Sequence, residues 1–99
     1  MGWFVYLLLN DKMISYTGIA VDVEDRLRRH NAGRGAKFTR GRGPWRVVHT
    51  EGPLSHGDAL RREAALRTDR RFKSALKDRV GRGPRNNDIA MVSLFSAFP

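Results

Sequence analysis

The chain has no cysteine, which excludes disulfides and thiolate metal sites. No stretch approaches the roughly 18 consecutive apolar residues that span a bilayer. The apolar run Trp3 to Leu9 lacks the basic flank and small-residue cleavage site of a signal peptide. A cytoplasmic protein with no membrane span is therefore expected. Internal repeats and low-complexity runs are also lacking. Acid is scarce: 10 Asp and Glu stand against 19 Lys and Arg, for a net charge of +9. Between Arg26 and Thr50 there is no acidic residue at all, against eight basic ones. A field of one sign attracts polyanions, nucleic acid first and an anionic membrane surface second. Arginine outnumbers lysine, and its planar fork suits phosphate. The 99 residues suffice for one domain with a modest core.

Trp3 to Leu9 is aromatic and aliphatic throughout, the composition of a buried central strand. Asn10-Asp11-Lys12 is turn chemistry. Met13 to Thr17 supplies a second strand, so Tyr6 and Tyr16 fall on neighbouring strands of a hairpin. Thr17-Gly18 is expected to break that strand, since glycine tolerates a tight turn. Asp22 stands where a helix N-cap belongs, with Asp25 three residues on in a box-like pattern. The helix spans roughly Val23 to Ala32, with Gly33 as its stop. Arg26 and His30 are four apart and share a face, while Val23 and Leu27 turn to the core. A tyrosine, an arginine and a histidine can thus converge beside one strand–helix unit.

The stretch 33–44 is a loop by its glycines and closing proline. Its backbone can approach phosphate closely, and Arg34, Lys37, Arg40 and Arg42 can neutralise charge together with Arg28 and Arg29 of the helix. Phe38 can stack on a base or plug the core. The glycine spacing is not that of a P-loop. Trp45 to Thr50 reads as a third strand closed by Gly52-Pro53. A helix opens between Ser55 and Asp58, with Leu60, Ala64 and Arg67 along one line and Ala59 and Leu66 beside it. Glu63 lies four residues before Arg67, where a plain helix ion pair is the simple expectation. Thr68-Asp69 interrupts the pattern. A last helix follows from Arg70 to Arg79, with Phe72, Ala75, Leu76 and Val80 at helical spacing. Gly81 to Pro84 ends it. From Arg85 to Pro99 the chain is apolar, with no charge after Asp88. That tail of unknown role is a candidate surface for a protein partner. The order β-β-α-β-α-α predicts an α+β fold, a small three-stranded antiparallel sheet flanked by helices.

These residues resemble the GIY-YIG nuclease family, in particular its small stand-alone bacterial (UPF0213-like) members. The resemblance lies in Phe4-Val5-Tyr6, in Tyr16-Thr17-Gly18, in the run Asp22 to His30, in the basic loop Gly33 to Gly41, and in Ala59-Leu60-Arg61-Arg62-Glu63. It covers roughly residues 3 to 80 and marks 1–84 as the nuclease-like domain. Phe4 stands in place of the first glycine of the family's name.

The resemblance implies a divalent-metal-dependent DNA endonuclease, with a role in DNA repair or processing. Arg26 would stabilise charge on the scissile phosphate. Glu63 would bind one ion, Mg²⁺ or Mn²⁺. Tyr6 or Tyr16 would position the water or act as general base, with neighbouring cations lowering its pKa. His30 is the other candidate base. The family's late asparagine has no clear counterpart: Thr68, Asp69 or Ser74 stand near its place, and Asn86 and Asn87 lie farther on. With no second domain expected, substrate choice falls to the loop, the tail or a partner, and single-stranded or branched DNA is favoured. The competing expectations are a non-catalytic DNA- or RNA-binding module acting through the arginine-rich loop, or a basic accessory protein docked by its tail.

Overall fold

The computed structural model of the chain describes residues 2–82. The elements are β1 (Trp3–Asn10), β2 (Ser15–Ala20), α1 (Val23–Asn31), a single 3₁₀ turn (Lys37–Thr39), β3 (Trp45–Leu54), α2 (His56–Arg67) and α3 (Arg70–Arg82). The strands form one antiparallel sheet in the order β2-β1-β3. This is the α+β architecture that the residue pattern implies. The apolar tail from Arg85 to Pro99 lies outside the described residues.

β1 is the middle strand, and its side chains alternate between two cores. Val5, Leu7 and Leu9 pack with Val48 and with Ala59, Leu66 and Leu76 of the two later helices. Tyr6 and Leu8 pack with Ala20, Trp45, Val47 and Val23 of α1. Burial on both faces explains why the segment carries no polar alternation. Each such aliphatic side chain contributes about 1.5–3 kcal/mol by leaving water.

The hairpin between β1 and β2 is held by Asn10, whose Oδ1 accepts from Lys12 N and Ile14 N at 3.0 and 2.9 Å. Met13 closes the turn at φ 64°, so β2 begins at Ser15 rather than at Met13. It does not stop at Gly18 either. Gly18 lies inside the strand opposite Tyr6, and pairing continues to Ala20.

β3 likewise runs past the expected stop at Gly52-Pro53, because Leu54 pairs with Trp3. It is an edge strand, where a proline's missing N–H is tolerated.

Ser55 Oγ caps α2 by accepting from Asp58 N at 3.1 Å. Its inward line is Ala59, Arg62, Glu63 and Leu66. The expected line through Leu60 is corrected: Leu60 is exposed, and Ala59 and Leu66 are fully buried. Two charged residues on the inner face hid that pattern. Arg62 clasps Glu51 of β3 at 2.7 and 3.0 Å, and His49 Nε2 meets the same carboxylate at 2.8 Å. Asp69 caps α3 through Phe72 N at 2.9 Å, and the helix continues to Arg82 instead of ending at Arg79.

Candidate active site

α1 is anchored at both ends. Asp22 Oδ1 accepts from Asp25 N at 3.0 Å, as its N-cap position requires. Asp25 does not return the bond; its carboxylate pairs with Arg29 at 3.0 Å and Arg28 at 3.6 Å. At the other end Gly33 takes φ 75°, with Gly33 N bonded to His30 O and Arg34 N to Arg29 O. That is the paired closure of a left-handed C-cap. It turns the chain back over His30. Val23 and Leu27 face the sheet core, so Arg26 and His30 face the hairpin at different depths: Arg26 is exposed and His30 is buried.

The hairpin brings the two tyrosines to this histidine. Tyr6 Oη lies 2.9 Å from His30 Nε2. His30 Nδ1 lies 2.8 Å from Thr39 Oγ1 in the 3₁₀ turn. The Tyr16 ring sits 5.0 Å from the His30 ring and 6.4 Å from that of Tyr6, centroid to centroid. Phe38 stacks on Tyr16 at 6.2 Å and 20°, and the Arg42 guanidinium covers the Phe38 ring at 4.7 Å.

Two glycines clear the space. A Cβ on Gly18 would stand 2.6 Å from Tyr6 Oη and 3.1 Å from the Tyr16 ring. A Cβ on Gly35 would collide with the His30 imidazole. Gly18 is therefore not a strand breaker but the gap into which the tyrosines fit. Thr39, Gly18 and Gly35 are site-building residues that the sequence did not flag as such. Nothing in the sequence marks Thr39 as buried within its basic loop.

The electrostatics correct one expectation. Burial, not the neighbouring cations, dominates both tyrosines and pushes their pKa values above the usual range. Arg26 pulls the other way on both, and the Glu63 carboxylate adds to the rise. Burial and the Arg26 charge hold His30 below its ordinary value, so the imidazole is neutral near pH 7. Arg26 and Glu63 thus act on the same two hydroxyls from opposite signs. Tyr6, Tyr16, Arg26, His30 and Glu63 are gathered in one neighbourhood.

The cations differ in availability. Arg28 and Arg29 are engaged by Glu24 and Asp25, and with Arg34 they line a cleft of ≈ 370 Å³. Arg42 donates to the Phe38 carbonyl at 2.7 Å. Lys37 and Arg40 are exposed on the loop. Among the described residues Arg26 has no carboxylate partner, although α1 carries two.

Glu63 is paired with Arg67, as its helix spacing allowed, with its side chain only 16% exposed. The described residues contain no group of three or more potential metal ligands. A single carboxylate still fits a hard divalent cation that keeps most of its water and takes further oxygens from a substrate phosphate. Of the positions near the family's late asparagine, Thr68 Oγ1 donates to the Ala65 carbonyl at 3.4 Å, Asp69 Oδ1 caps α3 and Ser74 is exposed on α3; Asn86 and Asn87 lie outside the described residues.

Residues 2–77 match the family model for the GIY-YIG catalytic domain. The chain belongs to the GIY-YIG family. It is 41% identical over 88 residues to UPF0213 protein BH0048 of Halalkalibacterium halodurans, covering 88% of this chain and 93% of that one. It is 44% identical over 70 residues to UPF0213 protein HQ_3675A of Haloquadratum walsbyi, covering 71% and 79%. The solution NMR structure of UPF0213 protein BH0048 from Bacillus halodurans aligns over 89% of this chain and 94% of that one, at 40% identity and a TM-score of 0.48. GIY-YIG is a nuclease family, and the tripeptides that stand for its name are the ones that meet at His30 here. Phe4-Val5-Tyr6 supplies the hydroxyl on β1, and Tyr16-Thr17-Gly18 supplies a ring and a gap on β2. No helix among the described residues is long and apolar enough to cross a membrane.

Proposed function

We propose that this GIY-YIG protein is a divalent-metal-dependent DNA endonuclease. The observation that carries this reading is the meeting of Tyr6, Tyr16 and His30 within electrostatic reach of Glu63 and of Arg26, which has no carboxylate partner among the described residues. In the proposed reaction Arg26 binds the non-bridging oxygens of the scissile phosphate, where its fork relieves developing charge. A water gives up a proton to the Tyr6 oxygen as the tyrosine's own proton passes to His30 Nε2. The hydroxide attacks phosphorus, the bond to the leaving oxygen breaks, that oxygen takes a proton from solvent, and His30 releases the one it received to solvent. Glu63 would hold one Mg²⁺ or Mn²⁺, which supplies positive charge against the leaving oxygen. Tyr16, half-buried beside Glu63 and Arg67, would orient the substrate.

Unpaired DNA, single-stranded or branched, suits the rim of this site. Phe38 is 46% exposed beside Tyr16, and a base that is not already stacked in a duplex would take the place of the Arg42 guanidinium on its ring. The loop cations Lys37 and Arg40, with Arg34, would track the backbone.

The test is cleavage of single-stranded, duplex and branched DNA with Mg²⁺ or Mn²⁺. Arg26→Ala and Glu63→Ala should each lose on the order of 100-fold or more in kcat. Full activity in either variant would overturn the assignment. A second reading, a binding module without catalysis, is favoured by the Glu63–Arg67 ion pair, which occupies the proposed metal ligand. It predicts salt-sensitive binding with no cleavage under any metal.

A further inference from the structure

Thr39 has no part in the chemistry just described, yet it is fully buried in a loop whose neighbouring side chains, Lys37, Phe38 and Arg40, face solvent. Its hydroxyl carries one proton. That proton is engaged by the Ala36 carbonyl, 2.8 Å away, and a carbonyl can only accept. Towards His30 Nδ1, also at 2.8 Å, the hydroxyl must then act as acceptor, so Nδ1 carries the imidazole's hydrogen. A neutral imidazole has only one. Nε2 is therefore bare and accepts from Tyr6 Oη at 2.9 Å. The chain of bonds runs one way: Tyr6 to His30 to Thr39 to Ala36. Gly35 keeps the imidazole in line, because any side chain there would enter the ring.

We infer that Thr39 is a positioning residue that fixes the Nδ1–H tautomer of His30 and thereby holds the Tyr6 hydroxyl as a donor to Nε2. The Tyr6 oxygen then keeps its lone pairs for the proton of the attacking water. With the opposite tautomer Nε2–H would donate to Tyr6, and the proton path from water would have nowhere to end. The kinetic consequence rests on the nuclease reading above; the tautomer does not.

The test uses the full ¹⁵N-labelled chain without substrate, at about pH 8 where an imidazole is neutral. Long-range ¹H–¹⁵N spectra separate a protonated ring nitrogen from a bare one, and the His30 signals are assigned by their loss in His30→Gln. Wild type and Thr39→Ser should show Nδ1 protonated and Nε2 bare. Thr39→Val and Thr39→Ala should lose that asymmetry, with folding checked by circular dichroism. In the cleavage assay Thr39→Ser should stay within about threefold of wild type. The valine and alanine variants should lose at least about tenfold in kcat with KM little changed, in line with what loss of tautomer control does at other histidine bases.

A protonated Nε2 in the wild-type protein would overturn the inference. So would an unchanged asymmetry in the folded alanine and valine variants. If the wild type cuts no DNA at all, the nuclease reading fails while the spectra still decide the tautomer.

Discussion

Replacing Gly18 with alanine sets two effects of opposite sign against each other. Within a strand, glycine is ordinarily worse than alanine by about 0.5–1 kcal/mol, so the substitution alone should stabilise. Here the new methyl would stand 2.6 Å from Tyr6 Oη, 2.8 Å from Tyr6 Cζ and 3.1 Å from the Tyr16 ring. Tyr6 is 1% exposed and cannot swing aside. Overpacking of this kind costs about 1–3 kcal/mol, and a weakened Tyr6–His30 hydrogen bond adds about 1 kcal/mol. The clash wins, and the net expectation is a loss of about 1–3 kcal/mol. With a urea slope near ~1 kcal/mol/M for so small a domain, the midpoint should fall by about 1–3 M at unchanged slope. A double-mutant cycle sharpens the test. Tyr6→Phe removes the atom closest to the added methyl, so the double variant should be less destabilised than the sum of the singles, by about 0.5–2 kcal/mol. A Gly18→Ala midpoint at or above that of wild type would refute the packing argument, and additivity in the cycle would refute the role of the hydroxyl.

Acid should weaken the fold in two stages. Burial and the Arg26 charge hold His30 below its ordinary 6.5, so the unfolded chain binds more protons just beneath that pH; the stability is complete above 6.5 and declines as pH falls towards the folded value. Arg62 and His49 hold Glu51 below its ordinary 4.5, so a second loss begins beneath 4.5. Urea midpoints across the pH range should lose the upper stage in His30→Gln and the lower one in Glu51→Gln. Arg67→Ala should free the Glu63 carboxylate, whose side chain is only 16% exposed, and tighten Mn²⁺ binding, read by electron paramagnetic resonance; unchanged Mn²⁺ affinity would count against Glu63 as a ligand. Phe38→Ala should weaken single-stranded DNA binding by about 1–3 kcal/mol and duplex binding by less, measured by fluorescence anisotropy; equal losses on both would remove the stacking role.

Features set by near neighbours were legible in the sequence. The Asp22 cap, the Gly33 stop and the hairpin turn at Asn10 depend on residues a few positions apart, and the unbroken apolar run of β1 marks a buried central strand by itself; each was met. Features set across the fold were misjudged. Gly18 suggested a turn because glycine marks both turns and gaps; only the Tyr6 ring, twelve positions earlier, decides which. Gly52-Pro53 suggested a strand end, and only the pairing of Leu54 with Trp3 carries β3 beyond it. The inner face of α2 was obscured because Arg62 and Glu63 interrupt its apolar line for purposes outside the helix. The sequence made Tyr6, Tyr16, Arg26, His30 and Glu63 a credible group, but it could not reveal that Thr39 closes their hydrogen-bond chain. A threonine in a basic loop carries no mark of burial until the loop folds back.

The middle position of β1 divides the molecule into parts of unequal durability. Val5 to Leu9 are paired with β2 on one side and β3 on the other, and their amides should exchange with deuterium only when the whole domain melts. Tyr6 rides on that plank, whereas Arg26 and Phe38 project from a short helix and a loop at the margin. Substitutions at that margin should therefore leave the slow exchange of the β1 amides unchanged.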